Sequence, residues 1–393
     1  MTGRWLTGLR LSGYGAAYFF ASGAFMSYWP VWLGHRGIGD AEIGTLYMAR
    51  QLVSVVATLG IGYFAHRFGH LRGFLLVLGI AAVVMMTGYQ FSYTFTALLL
   101  VGLVWGCVWA PSMALYDGVL VNEARARGIV YGRLRLWGSV AFIIGTIVCG
   151  SSVDRFGPPS VLFVGLSGIL LLVPLAWALP AGESHGQASA RQAPFGLFEL
   201  FRDRSFLLFM AAAGLCQSSH AVLYSFGTLT WRAAGIDDVT ISLLWGESVA
   251  VEILLMTASG WLLKRMGVCG LIGFGLACGL VRWTALAFTS DLPVLIFLQA
   301  LHAGTFAACH LGAMAFIQRA LPARGVALGQ SIYYALGTGA TQALIYQVSG
   351  LLHERFGQHA FLGMTVISAA GILALLALAR RWHGGLLIEA AAE

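Results

Sequence analysis

The sequence predicts an all-helical protein that crosses a membrane twelve times, in two bundles of six helices. Composition is the first reason: 59% of the 393 residues are hydrophobic and 10% are charged, whereas soluble domains carry about 25% charged residues. The second reason is a series of long apolar runs, and the third is a motif that recurs four times. This composition excludes a soluble protein. The net charge of +7 comes from arginines between the runs, so we expect no nucleic acid as a partner.

Twelve apolar runs are each long enough to cross a bilayer as a helix. One long hydrophilic stretch, residues 181–203, interrupts the series. We expect it to be a central cytoplasmic loop between one bundle at residues 1–180 and a second at 204–393. The first run is too long for a signal-peptide core, so we expect no cleavage. The predicted helices are 11–34, 42–65, 73–91, 94–122, 134–153, 159–179, 206–231, 240–263, 268–289, 292–317, 326–352 and 358–380.

The positive charges predict the orientation of the helices. If both termini are cytoplasmic, the inner segments hold 17 of the 23 Lys and Arg residues and the outer segments hold four. The remaining two, Arg50 and Arg282, lie within predicted helices. Cytoplasmic loops of membrane proteins carry an excess of Lys and Arg, so this distribution places both termini in the cytoplasm.

The motif Gly-x4-Arg-[Phe/Met]-Gly follows the second helix of each predicted three-helix group. Three helices separate successive copies, so the copies fall on alternate sides of the membrane and adjacent groups are inverted. The first and third copies share a side, so the two six-helix halves are parallel. Inverted triplets nested in parallel halves are a construction of secondary transporters. The copies are residues 62–69, 150–157, 260–267 and 350–357.

Ionisable side chains inside predicted helices are costly in lipid and mark substrate or ion paths. Helix 10 carries His302 and His310 within an apolar run. A rise of about 1.5 Å per residue puts His302 level with Glu252 of helix 8, and Glu247 level with Arg282. We therefore expect Glu252 beside His302 and Glu247 beside Arg282, and we expect this set to carry the coupling proton. Burial raises the pKa of a carboxyl group and a nearby histidine offsets that rise, so such a pair can bind and release a proton near neutral pH. The alternative is a hydrogen-bonded pair that only joins helices.

A second set of side chains is expected to line a central cavity and bind the substrate. Arg50 is a lone cation in helix 2, and a guanidinium binds a carboxylate through two hydrogen bonds. Asp117 and Arg135 can form a substrate-binding or gating pair. The alternatives are salt bridges between helices and, for the aromatic residues, anchoring at the membrane interface. The predicted substrate-binding residues are Arg50, Asp117, Arg135, Tyr14, Tyr18, Tyr334, Thr305 and His310.

Nothing in the sequence predicts a cofactor, a metal site or an enzyme. No Gly-x4-Gly-Lys-[Ser/Thr] loop is present, so energy must come from a gradient, and buried Glu and His favour protons. The six cysteines are scattered and form no Cys-x-x-Cys pair. His302 and His310 are eight residues apart, about 80° around a helix, which is poor geometry for chelation. His220, in a polar run of helix 7, is either a further proton group or a structural residue.

Residues 62–72, Gly-x-x-x-His-Arg-Phe-Gly-His-x-Arg, resemble the loop 2–3 signature of the major facilitator superfamily. This resemblance implies the major facilitator fold and a conformational gating role for the loop. His66 stands where the signature has Asp, so the charge pair that caps the helix in that family is in question here. The gating role would fall on Gly62, Arg67, Gly69 and Arg72.

Within that superfamily the chain is most similar to the 3-phenylpropionate permease group. The similar stretches include residues 135–142, 281–283 and 301–311. The likeness implies proton-coupled uptake of a small organic acid, such as an aromatic carboxylate.

A more distant resemblance is to the lactose permease, a sugar–proton symporter. Asp117 lies eighteen residues before Arg135, and Arg282 lies twenty before His302, as in that family. Thr305 stands where that family has its coupling Glu, which moves the expected proton carrier to Glu252.

These observations predict an inner-membrane secondary transporter that works by alternating access. Its expected partners are a small-molecule substrate, protons and the lipid bilayer, and we expect a monomer. A sugar or nucleoside symporter and a drug or metabolite exporter of the same fold are the alternatives. A receptor or a membrane-embedded enzyme is disfavoured.

Overall fold

The computed structural model describes residues 2–180 and 197–387, and within these ranges every regular element is a helix. The predicted all-helical fold class is confirmed. The first helices are α1 Thr2–His35, α2 Asp40–Phe68, α3 Leu71–Gln90, α4 Phe95–Ala126, α5 Tyr131–Phe156 and α6 Ser160–Ala178. They are followed by α7 Leu197–Arg202, α8 Arg204–Ser218, α9 Ala221–Ala233, α10 Asp238–Thr257, α11 Ser259–Leu286 and α12 Leu292–Ala300. The remaining elements are the π-helix π1 Ala303–Ala308, α13 Cys309–Ala320, α14 Ala323–Ile332, the π-helix π2 Tyr333–Ala340, α15 Thr341–Phe356, a 3₁₀ turn Gly357–Ala360 and α16 Phe361–Arg381.

Ten helical stretches in the described ranges are long and apolar enough to cross a membrane. Helix α1 is not among the ten, although its 34 residues extend about 51 Å at 1.5 Å per residue. The last stretch, Ala323–Arg381, has 59 residues, enough for two crossings of about 20 residues each. With α1 added and the last stretch counted twice, the number is the predicted twelve.

The final glycine of each repeated motif ends a helix in a backbone conformation that favours glycine. Gly69, Gly157, Gly267 and Gly357 have φ of 69°, 79°, 68° and 53°. The amide of Gly157 donates to the carbonyl of Val153 at 2.8 Å, so it closes the last turn of α5. At Gly267, within α11, φ 68° and ψ −177° break the helix direction between two crossings. The motif therefore terminates the second helix in all four three-helix groups.

By packing, the described residues form two compact units. The described part of the first unit is residues 2–180 together with 228–246, and that of the second is 197–227 together with 247–387. In the first unit, α1 packs closely on α5 because glycines remove side chains from the contact: a Cβ at Gly145 would overlap the carbonyl of Phe20. The second unit is centred on packed aromatic rings. The ring centroids of Phe209 and Phe316 are 4.1 Å apart, and that of Tyr333 is 5.5 Å from that of Phe209. The division into bundles at residues 180 and 204 stays a prediction.

Of the predicted central loop, residues 181–196 lie outside the described residues, and residues 197–202 form the short helix α7. Asp203 ends the loop by capping α8, because its carboxylate accepts a hydrogen bond from the amide of Phe206 at 2.8 Å. Asp237 caps α10 in the same way and accepts from the amide and hydroxyl of Thr240 at 2.8 and 2.7 Å. These bonds hold the pKa of Asp237 below its ordinary value.

Three predicted helices are interrupted rather than straight. Helix 7 breaks between α8 and α9 at Ser219 and His220. Helix 10 contains π1 directly after His302, and helix 11 contains π2. A π-helical turn inserts extra residues into an α-helix and is frequent at functional sites. The interruptions in helices 7 and 10 coincide with the buried polar groups described next.

Candidate functional site

A buried arginine, Arg282 of α11, is the centre of a polar cluster in the second unit. Its side chain is 0% exposed. One terminal nitrogen donates to His302 Nδ1 and to Thr305 Oγ1, both at 3.1 Å. The other donates to Gln299 Oε1 at 2.6 Å. The segment from α12 to π1 thus supplies all three acceptors, and each acceptor is a neutral group.

The break in helix 7 brings His220 into the same cluster. His220 Nδ1 lies 2.9 Å from the carbonyl oxygen of Gln217, and its Nε2 lies 2.9 Å from Thr305 Oγ1. A carbonyl can only accept, so Nδ1 carries the proton and the neutral Nε2 accepts from the Thr305 hydroxyl. The ring of His220 also meets the ring of His302 edge-on, 5.2 Å between centroids.

The hydrogen bond from Arg282 assigns the tautomer of His302. A guanidinium has donors only, so His302 Nδ1 must accept and the proton of neutral His302 resides on Nε2. Thr305 Oγ1 accepts from Arg282, and it lies within hydrogen-bond distance of two further groups, His220 Nε2 at 2.9 Å and the carbonyl oxygen of His302 at 3.3 Å. The result is one hydrogen-bonded network that connects Arg282 through Thr305 and His220 to the carbonyl of Gln217. The Arg282 Nε atom is buried without a hydrogen-bond partner, and among the described residues this guanidinium forms no hydrogen bond or salt bridge with a carboxylate.

The predicted acids Glu247 and Glu252 lie half-buried on α10. Glu247 interacts electrostatically with Arg282. Glu252 interacts electrostatically with Tyr224, whose ring stacks on His220 at 5.3 Å between centroids. Arg282 is a direct partner of the His302 side chain, and Tyr224 interacts with both Glu252 and His220. The pairing of Glu252 with His302 stays a prediction.

His310 and Tyr334 extend the cluster towards the other end of helix 10. The rings of His302 and Phe306 stack at 5.3 Å, and those of Phe306 and His310 stack at 6.4 Å. The ring of Tyr334 is 6.3 Å from that of His310, and its hydroxyl donates to the sulfur of Met314 at 3.6 Å. Rings therefore line one face of helix 10 for two turns.

In the first unit, Tyr14 and Tyr18 lie on one face of α1, as their four-residue spacing predicts. The ring of Tyr14 stacks on Tyr116 at 5.0 Å, and its buried hydroxyl has no hydrogen-bond partner. The ring of Tyr18 stacks on Trp109 at 4.1 Å, and its hydroxyl donates to the carbonyl of Trp109 at 3.2 Å. Tyr18 is thus held against α4, whereas the buried hydroxyl of Tyr14 is unsatisfied in the structure.

Asp117 and Arg135 interact electrostatically in the same unit. The guanidinium of Arg135 lies 4.1 Å over the ring of Phe19, and Asp117 Oδ1 is buried without a hydrogen-bond partner. An unsatisfied buried carboxylate oxygen carries a large desolvation cost. It is therefore a position at which a ligand donor, such as a hydroxyl, would be stabilising.

Arg50 is half-buried on α2, with its guanidinium 4.6 Å over the ring of Tyr47. It lines a cavity of about 10 Å³ together with Trp29, Tyr89 and Leu98. The arginine is thus surrounded by aromatic and apolar groups, although the space beside it is small.

The predicted gating residues lie around the turn that follows α2. Gly69 ends α2 and its amide donates to the carbonyl of Ala65 at 3.0 Å. Arg67 donates to the hydroxyl of Tyr63 at 3.3 Å, and Arg72 reaches the carbonyl of Leu179 at 3.5 Å. A Cβ at Gly62 would meet no neighbour within 4 Å. Arg72 therefore ties the start of α3 to the end of α6.

One member of the Arg282 cluster, Gln299, is absent from the residues that the sequence predicted for the site. His220 was predicted as either a further proton group or a structural residue, on the signal of the run Gln217-Ser218-Ser219-His220, which is too polar for the middle of a lipid-facing helix.

The sequence model of the MFS_1 like family matches residues 9–363. A probable 3-phenylpropionic acid transporter of Escherichia coli is 28% identical over 351 residues, which are 89% of this chain and 92% of the relative. The maltose permease of Geobacillus stearothermophilus is 25% identical over 378 residues, 92% of either protein. A putative nucleoside transporter of Escherichia coli is 23% identical over 348 residues, 84% of this chain and 80% of the relative.

Solved structures show the same fold. The nucleoside transporter NupG superposes with a TM-score of 0.82 at 17% identity, and the superposition covers 95% of this chain and 98% of the NupG chain. A bacterial homolog of the human lysosomal transporter Spinster superposes with a TM-score of 0.71 at 14% identity, and the superposition covers 96% of this chain and 98% of the homolog.

Proposed function

We propose that this chain, a multi-pass membrane transporter that belongs to the MFS_1 like family, takes up a small organic acid together with protons by alternating access. An aromatic carboxylate is the proposed substrate class. The similarity to a probable 3-phenylpropionic acid transporter along 89% of the chain supports that class. The proposed location is the inner membrane, with both termini cytoplasmic.

The observation that carries the proposal is the buried guanidinium of Arg282 with only neutral hydrogen-bond partners. A buried cation is stabilised by a nearby anion. Either the substrate carboxylate or a deprotonated acid of α10 supplies that charge, and the exchange between the two links substrate binding to proton binding. Arg50, in its aromatic surroundings, is the proposed carboxylate ligand of the first unit.

Glu252 is the proposed proton carrier, with Glu247 as the second candidate. His302 is unsuited to that role while Arg282 donates to its Nδ1, because protonation there would break this bond and place two cations side by side. His302 and His220 instead position the guanidinium. Protonation of Glu252 removes a negative charge near the cluster, so Arg282 is then free to attract the substrate anion.

Uptake in proteoliposomes tests this function. An inward proton gradient should drive accumulation of a labelled aromatic acid such as phenylpropionate, and a protonophore should abolish it. Accumulation that is indifferent to the gradient would contradict proton symport.

A sugar or nucleoside is the second candidate substrate. The unsatisfied Asp117 Oδ1 beside Arg135 suits a hydroxyl donor, and relatives include a maltose permease and a putative nucleoside transporter. A thermal-shift screen of organic acids, sugars and nucleosides separates the two candidates, because only ligands of the resting protein raise its melting temperature.

A further inference from the structure

A groove outside the predicted substrate site runs along α1 and α5 in the first unit. Its volume is about 790 Å³. On α1 it is lined by residues spaced three and four apart, from Arg4 to Ala16, and on α5 by one face from Val130 to Trp137. Small residues of α1, among them Gly8 and Gly13, leave the space that side chains would otherwise fill. The groove therefore exists because small residues of α1 lie opposite the start of α5.

The two ends of this groove differ in chemistry. Arg4 and Arg133 line it at the end where α1 and α5 begin, and both are exposed. Arg4 also donates to the carbonyl of Gly128 in the turn before α5, which holds its guanidinium at the rim. Trp5 and Trp137 flank the groove and are 71% and 58% exposed. The rest of the lining is apolar except for Ser12, and it includes Leu9, Ala16 and Leu134.

The groove crosses the expected boundary between headgroups and acyl chains. The first predicted crossing begins at residue 11, so along α1 Arg4 lies about 10 Å before that boundary and Ala16 about 8 Å beyond it, at about 1.5 Å per residue. Arg133 directly precedes the predicted crossing that begins at residue 134. The two arginines therefore lie at headgroup level, and the end of the groove near Ala16 lies at acyl-chain level.

We propose that this groove binds one anionic phospholipid, with its phosphate on Arg4 and Arg133 and an acyl chain along Gly8, Gly13 and Ala16. Among the described residues neither guanidinium forms a salt bridge with a carboxylate, so the two groups complement a negative headgroup, and arginine binds phosphate through two hydrogen bonds. If both termini are cytoplasmic, the lipid belongs to the cytoplasmic leaflet. The inference does not depend on what the protein transports.

Native mass spectrometry of the full-length protein in mild detergent tests the proposal. The protein is titrated with phosphatidylglycerol, with phosphatidylcholine of the same acyl chains, and with inorganic phosphate as a competitor. We expect phosphatidylglycerol to bind in preference and millimolar phosphate to leave it bound. Equal binding of the two lipids would overturn the proposal, and displacement by phosphate alone would reassign the arginines to a free anion.

Matched variants locate the site. Replacing both arginines, Arg4→Gln with Arg133→Gln, should weaken phosphatidylglycerol binding about 30-fold. The pair Arg4→Lys with Arg133→Lys keeps the charge and should retain most of the binding. The pair Arg10→Gln with Arg125→Gln removes two exposed arginines that do not line the groove, and it should bind like the unmodified protein. An equal loss in this control pair would show general surface attraction and contradict a defined site.

A groove-filling variant tests the acyl-chain part. Gly8→Leu leaves both arginines in place and should reduce lipid binding; Ala16→Leu repeats the test lower in the groove. Unchanged binding in both variants, with unchanged melting temperatures in lipid-free detergent, would exclude the groove as the chain site.

Discussion

At the scale of single residues, Arg282 is the centre of a polar cluster because three neutral side chains each accept a hydrogen bond from it. His302, Thr305 and Gln299 satisfy the two terminal nitrogens. The hydroxyl of Thr305 is also hydrogen-bonded to His220 Nε2. In a low-dielectric interior, hydrogen bonds that share groups in this way strengthen one another.

Thr305→Val tests this network directly. The valine has nearly the same shape but leaves His220 Nε2 without a donor and removes one acceptor of Arg282. Leaving a buried polar group unsatisfied costs about 1–3 kcal/mol, so the variant should melt measurably earlier in detergent. Thr305→Ser keeps the hydroxyl and is the matched control. If valine and serine variants melt together, the hydroxyl is not part of the network.

Glu252→Gln tests the proton carrier. Glutamine keeps the size and polarity of the side chain but binds no coupling proton. Active accumulation of the substrate should therefore be lost, whereas counterflow exchange, which needs no net proton movement, should persist. Glu247→Gln is the comparison, because it removes the acid on the same helix that interacts with Arg282. Accumulation that survives in Glu252→Gln and fails in Glu247→Gln would transfer the role to Glu247.

At the scale of helices, the repeated motif is the feature that the sequence predicted best. The pattern indicated four equivalent turns, and all four final glycines have positive φ. A turn of this kind depends on a local backbone requirement, which a sequence displays directly.

Gly267→Ala tests that requirement. At φ 68° and ψ −177°, a region that only glycine adopts readily, a Cβ is strained by about 1–3 kcal/mol. A Cβ at Gly267 would meet no neighbour within 4 Å, so the cost is one of backbone strain alone. Gly260→Ala is the matched control in the same motif, since Gly260 has no positive φ and also lacks neighbours within 4 Å. We expect a lower melting temperature for the first variant and an unchanged or higher one for the second; equal stability of both would refute the strain.

The interruptions of helices 7, 10 and 11 were not predicted, and those in helices 7 and 10 determine which polar side chains meet in the Arg282 cluster. Depth was counted as if each helix rose about 1.5 Å per residue throughout. The break at Ser219 and the wider turn of π1 change which side chains face each other. As a result Thr305 lies within hydrogen-bond distance of both His220 and Arg282, contacts that the depth count did not predict. Such breaks depend on packing between distant helices, which periodicity along one helix does not report.

At the scale of the whole molecule, the proposed orientation rests on the unequal distribution of arginine between the two sets of loops. The chain also contains a single lysine, Lys264, in the stretch between helices 8 and 9 that the charge count places inside. Its side chain is exposed. Besides the amino terminus, also predicted inside, this lysine is the only amine that a membrane-impermeant amine reagent can label.

Labelling with such a reagent therefore determines the orientation of the whole chain. In intact cells the protein should stay unlabelled, and in inside-out vesicles it should be labelled at Lys264. The variant Arg155→Lys adds an amine at an exposed position in a segment predicted to lie outside, so it should be labelled in intact cells and serves as the positive control. Labelling of Lys264 from the outside, with Arg155→Lys reacting only from the inside, would invert the topology. It would also move the groove beside Arg4 and Arg133 to the opposite leaflet, because these residues share the predicted side of Lys264.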